Sequence, residues 1–178
     1  MSPSQRSRFD SLHQRLQAIL TKVMEEHTKL KLDWDILIVS GRRTKEQQDD
    51  CVRRKVSSVM WPQSAHNQNP SLACDLQGVR DGKLIDGDEA VKCCIEIAKL
   101  MCKIASDMGT PVKWGGLWEC SVPDDAMQQI VKRNALRAKG IKKTTGGQTT
   151  WVDVPHYELD KEWSAIKRDT KKLLKGAQ

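Results

Sequence analysis

Val154-Pro155-His156-Tyr157-Glu158-Leu159 is the stretch on which the fold turns. Side chains alternate between the two faces of a strand, so His156 and Glu158 share one side while Tyr157 and Leu159 take the other. Pro155 has no N–H to give to a ladder, so the strand starts at that point or runs along an edge. Ser71-Leu72-Ala73-Cys74-Asp75-Leu76 reads the same way. Ala73 and Asp75 point to one face, and Leu72, Cys74 and Leu76 point to the other. Both segments carry polar, titratable groups on one side and feed a core with the other.

Working outward, Phe9, Leu12, Leu16, Ile19, Leu20 and Val23 recur at steps of three and four and predict an amphipathic helix over about residues 5–26. Asp35-Ile-Leu-Ile-Val39 is a short apolar run closed by Ser40-Gly41 and predicts a buried strand. Thr44 with Gln47 forms a capping-box pattern that opens a helix through about Val56. Residues 57–72 read as a loop. Asp86 with Glu89 caps a helix to about Met108, whose stripe of Val91, Cys94, Ile95, Ala98, Met101, Cys102 and Ala105 places it at the centre of the core. Val112-Lys113-Trp114 is a strand stopped by Gly115-Gly116. Ser121 to Gly140 reads as a helix with a proline near its start. Residues 141–150 read as a polar, flexible segment, and Trp163, Ile166, Thr170, Leu173 and Leu174 mark a closing helix. Strands separated by helices in this order give an α+β fold, with helices packed on a small antiparallel sheet. The 178 residues suffice for one domain, taken as 1–178.

The net charge of +7 and a pI near 9.2 favour anionic partners: nucleic acid, anionic lipid, lipopolysaccharide or a cell-wall polymer. No nucleic-acid motif accompanies the charge, so no nucleic-acid partner is expected. The opening MSPSQRSRFD is polar and charged, which predicts no signal peptide, and no apolar run is long enough to span a membrane. The six cysteines contain no Cys-x-x-Cys, and Cys93 and Cys94 are adjacent on a helix. They read as reduced, mostly buried side chains.

Of four histidines, His13 falls on the charged side of the first helix and His27 at its end, where a positive ring suits the helix dipole. His66 and His156 lie at polar–apolar boundaries. Two histidines and an aspartate on such elements can furnish three zinc ligands with a fourth position open to water. On spacing alone, a structural histidine or a salt bridge is the commoner outcome.

Four segments in order carry a resemblance: Ser64-Ala-His66, Ala73-Cys-Asp75, Trp114-Gly-Gly-Leu-Trp118 and Asp153-Val-Pro-His156-Tyr-Glu158. Together they resemble the VanY-type D,D-carboxypeptidase and phage L-alanyl-D-glutamate peptidase family, within the hedgehog and D-Ala-D-Ala peptidase fold group. Ser40-Gly41-Arg42-Arg43-Thr44 is similar to that family's Ser-Gly-Tyr-Arg segment. The resemblance implies Zn2+ held by His66, Asp75 and His156, Asp153 as the general base, and Arg43 facing an oxyanion or a substrate carboxylate. It further suggests Glu158 behind a zinc-bound imidazole, with Ser64 and Trp114 lining the site. The chain departs from the family in two places. Residues 67–74 make the spacing from His66 to Asp75 longer than usual and lack its glycine, and an insertion of a helix and loop at about 119–150 precedes Asp153.

The function so implied is hydrolysis of peptidoglycan stem peptides by a monomeric, zinc-dependent endolysin that cuts between L-Ala and D-Glu. It would be made in the host bacterial cytoplasm and reach the wall after membrane permeabilisation, causing host lysis. The alternatives are a D,D- or L,D-carboxypeptidase of wall maturation and a non-catalytic hedgehog-like binding module. Lys132, Arg133, Arg137, Lys139, Lys142 and Lys143 make the insertion strongly basic. They suggest a mobile lid drawn to anionic envelope polymers.

Overall fold

Strands Asp35–Ser40 (β1), Ala73–Arg80 (β2), Lys83–Leu84 (β3), Val112–Trp114 (β4) and His156–Leu159 (β5) form one antiparallel sheet in a computed structural model that describes residues 1–160. Its order is β1-β2-β5-β4, with β3 paired to the end of β2. The helices are Pro3–Asp10 (α1), Gln14–Lys29 (α2), Lys45–Arg53 (α3), Gly87–Asp107 (α4) and Ala126–Ala138 (α5). The architecture is α+β, as the alternation of elements predicts. The closing helix expected from Trp163 to Leu174 lies outside the described residues.

Helices α2 and α4 pack against each other; α4 lies on β2 and β4, and α2 touches β1. Their apolar stripes meet the sheet face that carries Cys74, Leu76, Tyr157 and Leu159. From α2 come Leu16, Ile19, Leu20 and Val23, and from α4 Cys94, Ala98, Met101 and Ala105, all fully buried. Each large aliphatic side chain so buried contributes about 1.5–3 kcal/mol. Tyr157 is enclosed there and donates its hydroxyl hydrogen to the Cys94 carbonyl at 3.1 Å. None of the six cysteines is in a disulfide.

The capping box predicted at Thr44 is present, with Thr44 and Gln47 each accepting from the other's backbone. Other expectations need correction. The helix expected over 5–26 is two helices, because Leu12 leaves the helical path to bridge Ser71. Ser71 N–H donates to Ser11 O at 2.9 Å, and His13 N–H donates to Ser71 O at 2.8 Å. His13 is buried and caps α2, accepting from Arg15 N–H at its Nδ1. His27 is buried against Trp34, with ring centroids 4.4 Å apart, and burial lowers its pKa against the opposing pull of Asp35. It is therefore not the solvated positive ring that a helix end suggests. Asp86 makes no side-chain cap to α4; Glu89 instead joins Arg80 at 2.8 Å. Strand β2 runs four residues beyond Leu76 and returns as β3 through Asp81-Gly82, both at positive φ (51° and 75°). Such a two-residue link, with both φ positive, matches the twist of the flanking strands.

The segment 119–150 is ordered by its own contacts. Helix α5 starts at Ala126, later than Ser121, and packs on α4. Residues 141–150 form a hydrogen-bonded loop rather than a free one. Thr144 and Gln148 pair across it at 2.8 Å, and buried Thr150 donates its hydroxyl to Ile141 O at 2.6 Å.

Candidate metal centre and cleft

The register of β2 against β5 sets Asp75 opposite His156, both on the face away from α2 and α4. On the other flank, an irregularity between Ile38 and Ser40 brings Ser40 opposite Asp75. A bulge of this kind re-aims the chain that follows, and here that chain is Gly41-Arg42-Arg43. Arg43 N–H donates to the His66 carbonyl at 2.9 Å, and His66 Nδ1 donates to Gly41 O at 2.7 Å, so the two loops hold each other. His66 sits in a single 3-10 turn, Ala65–Asn67, with Ser64 as its N-cap and Asn67 returning a bond to Ser64 N–H. The long connection to Asp75 is closed by Leu72 N–H to Ala65 O at 3.0 Å. These bonds bring His66 to the sheet despite the extended spacing.

The three predicted ligands converge. His66 Nε2 is 3.2 Å from Asp75 Oδ1 and 3.2 Å from His156 Nδ1, and His156 Nδ1 is 3.1 Å from Asp75 Oδ1. All three residues are buried. The other nitrogen of each ring is engaged: His66 Nδ1 by Gly41 O, and His156 Nε2 by Glu158 Oε2 at 3.3 Å. With those atoms as donors, a neutral ring directs His66 Nε2 or His156 Nδ1 at the same point as the carboxylate. Two imidazole nitrogens and a carboxylate oxygen so grouped form a donor set that can hold a divalent metal ion.

Electrostatics follow from that crowding. Burial opposes ionisation of Asp75, yet His66 and His156 hold its carboxyl well below the usual range. Burial lowers the His156 imidazole, but hydrogen bonds to Asp75 and Glu158 outweigh it and push its pKa up to about 10. The site therefore attracts a cation, and protons compete for it.

Asp153 and His156 are joined by a turn, His156 N–H donating to Asp153 O at 3.0 Å. Gly115 clamps this turn, donating to His156 O at 2.8 Å and accepting from Asp153 N–H at 3.0 Å. A Cβ at Gly115 would lie 2.5 Å from the Asp153 carbonyl oxygen and 3.0 Å from His156 Cβ, so only glycine fits. Burial raises the Asp153 carboxyl above its ordinary value, with His156 pulling down and Asp75 adding to the rise. A carboxyl group whose pKa is raised in this way, beside the three clustered residues, is suited to proton transfer.

Arg43 pairs with Asp75 Oδ2 and donates from Nε to Ser40 Oγ at 3.0 Å. Its guanidinium thus fixes the Asp75 carboxylate and also borders the cleft. That cleft encloses about 860 Å3 and includes Ser64, His66, Asp153, His156 and Glu158 in its walls. Trp114 does not line it. Its ring is fully buried in the core and donates to Val154 O at 2.7 Å, because β4 alternation turns it toward α4. The aromatic walls are Trp118 and Trp151 instead. Trp118 was already in view as the last residue of Trp-Gly-Gly-Leu-Trp, and Trp151 lies two residues before Asp153. Arg133, expected on the exposed basic face, is buried and donates to Leu117 O at 2.8 Å.

Comparison with known proteins identifies the family and the fold. The profile of the phage L-alanyl-D-glutamate peptidase family matches residues 1–142. Among solved structures the chain is similar to the Serratia marcescens L-Ala D-Glu endopeptidase ChiX. The identity is 17% and the TM-score 0.54, over 90% of this chain and 89% of that one, a likeness of fold. No curated protein sequence matches. With four fifths of its length covered by the family profile, the chain belongs to the phage L-alanyl-D-glutamate peptidases, a family of peptidoglycan-acting peptidases.

Proposed function

We propose that the protein is a zinc-dependent endopeptidase that hydrolyses the L-alanyl-D-glutamyl amide of peptidoglycan stem peptides, in the service of host lysis. The observation that carries this reading is the convergence of two imidazole nitrogens and a carboxylate oxygen, 3.1–3.2 Å apart, where His66 and His156 border a cleft that also holds Asp153. His66 Nε2, Asp75 and His156 Nδ1 would hold the zinc. Bound there, it supplies Lewis acidity to a carbonyl oxygen and makes a water more acidic.

The remaining work falls to the chain itself. Asp153 accepts the proton of the attacking water and returns it to the departing amine, so that the amide breaks to an acid and an amine with no net proton change. Arg43 locks Asp75 and lends positive charge where the carbonyl oxygen becomes negative. Glu158 holds the His156 tautomer that leaves Nδ1 free. Ser64 fixes the turn that delivers His66. Mass spectrometry of sacculi digested by the purified protein, with and without chelator, tests the proposal. New N-terminal D-glutamate that disappears with chelator is expected. Release of terminal D-alanine alone would make the protein a carboxypeptidase.

A further inference from the structure

Trp118 and Trp151 both line the cleft that His66 and His156 border. The Trp118 ring centroid is 5.4 Å from that of His156, tilted by 41°. Its Nε1–H donates to Trp151 O at 2.8 Å, which ties the two residues together. Trp118 adopts a left-handed backbone, φ 62°, rare for a bulky residue and maintained by Trp118 N–H to Trp114 O at 2.6 Å. Strain of this sort persists where the surroundings enforce it and points to a use for the side chain.

The insertion backs this wall. Arg137 of α5 lies with its guanidinium carbon 3.9 Å from the Trp151 ring centroid, yet Arg137 is not among the residues bordering the cleft. The cation thus stacks on one face of the indole of a residue that lines the cleft. Four residues before Arg137 on the same helix, buried Arg133 holds the Trp-Gly-Gly-Leu turn through Leu117 O. Elsewhere the cleft presents hydroxyl and amide groups from Ser58, Gln63 and Gln68. Its volume of about 860 Å3 exceeds what a dipeptide fills.

Two tryptophans with hydroxyl- and amide-bearing residues in the same cavity match the chemistry of a pyranose ring. The C–H face of a sugar is apolar and packs on indole, and its hydroxyl and acetamido groups need polar partners. In peptidoglycan such a ring, the muramyl sugar, is joined through its lactyl group to the first stem residue, directly beside the bond proposed above. We propose that Trp118 and Trp151, held by Arg137 and Arg133, form a subsite for this sugar, so that the protein prefers glycan-bearing stems to free peptides. The inference rests on the endopeptidase reading for its substrate and on the wall for its chemistry.

Two substrates test it: N-acetylmuramyl-L-Ala-D-Glu-diaminopimelate and the same peptide with a plain N-acetyl group. The zinc-loaded protein should cut the sugar-bearing one with kcat/KM about tenfold higher, the order expected of one stacked ring. Trp151→Leu should bring the ratio to within about twofold, and Arg137→Ala, which leaves the indole in place, should lower it less. Separately, N-acetylmuramic acid alone should shift the Trp118 and Trp151 indole NMR signals. Equal cleavage of both substrates by the wild type, or an unchanged ratio in folded Trp151→Leu, overturns the subsite. If neither substrate is cut while the indole signals still move with the sugar, the endopeptidase reading falls and the subsite stands. If those signals do not move, the subsite falls whatever the cleavage.

Discussion

Strands β2 and β5 carry two buried faces made from alternate residues of the same two segments. On one face Cys74, Leu76, Tyr157 and Leu159 meet α4, and the one polar group of these side chains, the Tyr157 hydroxyl, finds a carbonyl. Burial raises the Tyr157 hydroxyl well above its ordinary pKa, so it stays neutral. On the other face Asp75 and His156 are nearly as buried, at 8% and 7% exposure, but their acceptor atoms face one another. Polarity on the core face is spent on one backbone carbonyl, whereas polarity on the cleft face gathers three potential metal-ligating atoms around one point. A buried cluster of titratable groups in a cleft is where function is to be sought.

The largest effect expected from breaking this contrast is chemical. Asp153→Asn should retain metal and fold, because Asp153 is not among the converging ligands, yet lose about a hundredfold to ten-thousandfold in kcat on a stem peptide. Metal analysis alongside kinetics checks both halves. Next comes the support behind the cleft. Arg133→Met should cost about 1.5–3 kcal/mol in denaturant unfolding, since the Leu117 carbonyl loses a charged donor. On the core face, Tyr157→Phe should cost only about 1 kcal/mol and leave metal content unchanged. Smaller again, Lys132→Glu with Lys139→Glu should weaken sacculus binding at low ionic strength and do little at about 0.15 M salt, where exposed charges are screened beyond about 8 Å. Equal binding at low salt would remove these residues from substrate capture.

The smallest effect concerns His27. Its folded-state pKa is lowered by burial from about 6.5, so the unfolded chain takes up the proton first. Stability should therefore fall as pH drops below about 6.5. His27→Gln should flatten that slope in urea titrations between about pH 7 and about pH 5; an unaltered slope would assign the loss to other groups.

Much of this was legible in the sequence because strand alternation and helix periodicity are local. His156 with Glu158, Asp75 with Ala73, the Thr44 capping box and the stripe of α4 all follow from spacing within a few residues. Placing His66 beside Asp75 took the order of motifs, since a long loop separates them and only tertiary bonds to Gly41, Arg43 and Ala65 close it. The failures are also tertiary. Helical periodicity continues through Leu12, but pairing with Ser71 breaks the helix there. Arg133 looks like one member of a basic face, yet the turn at Leu117 takes it inside. Trp114 and Trp118 are equivalent in the motif; β4 alternation sends the first to the core, and a left-handed backbone sends the second to the cleft.

The central claim is that the cleft face is completed by one zinc ion on His66, Asp75 and His156. Metal analysis of the purified protein and of His156→Ala, with stem-peptide hydrolysis followed through chelation and zinc re-addition, tests it most directly. The account predicts one zinc per chain, lost in the variant, with hydrolysis abolished by chelator and restored by zinc. Full hydrolysis by metal-free protein, or zinc retained by His156→Ala, would contradict it.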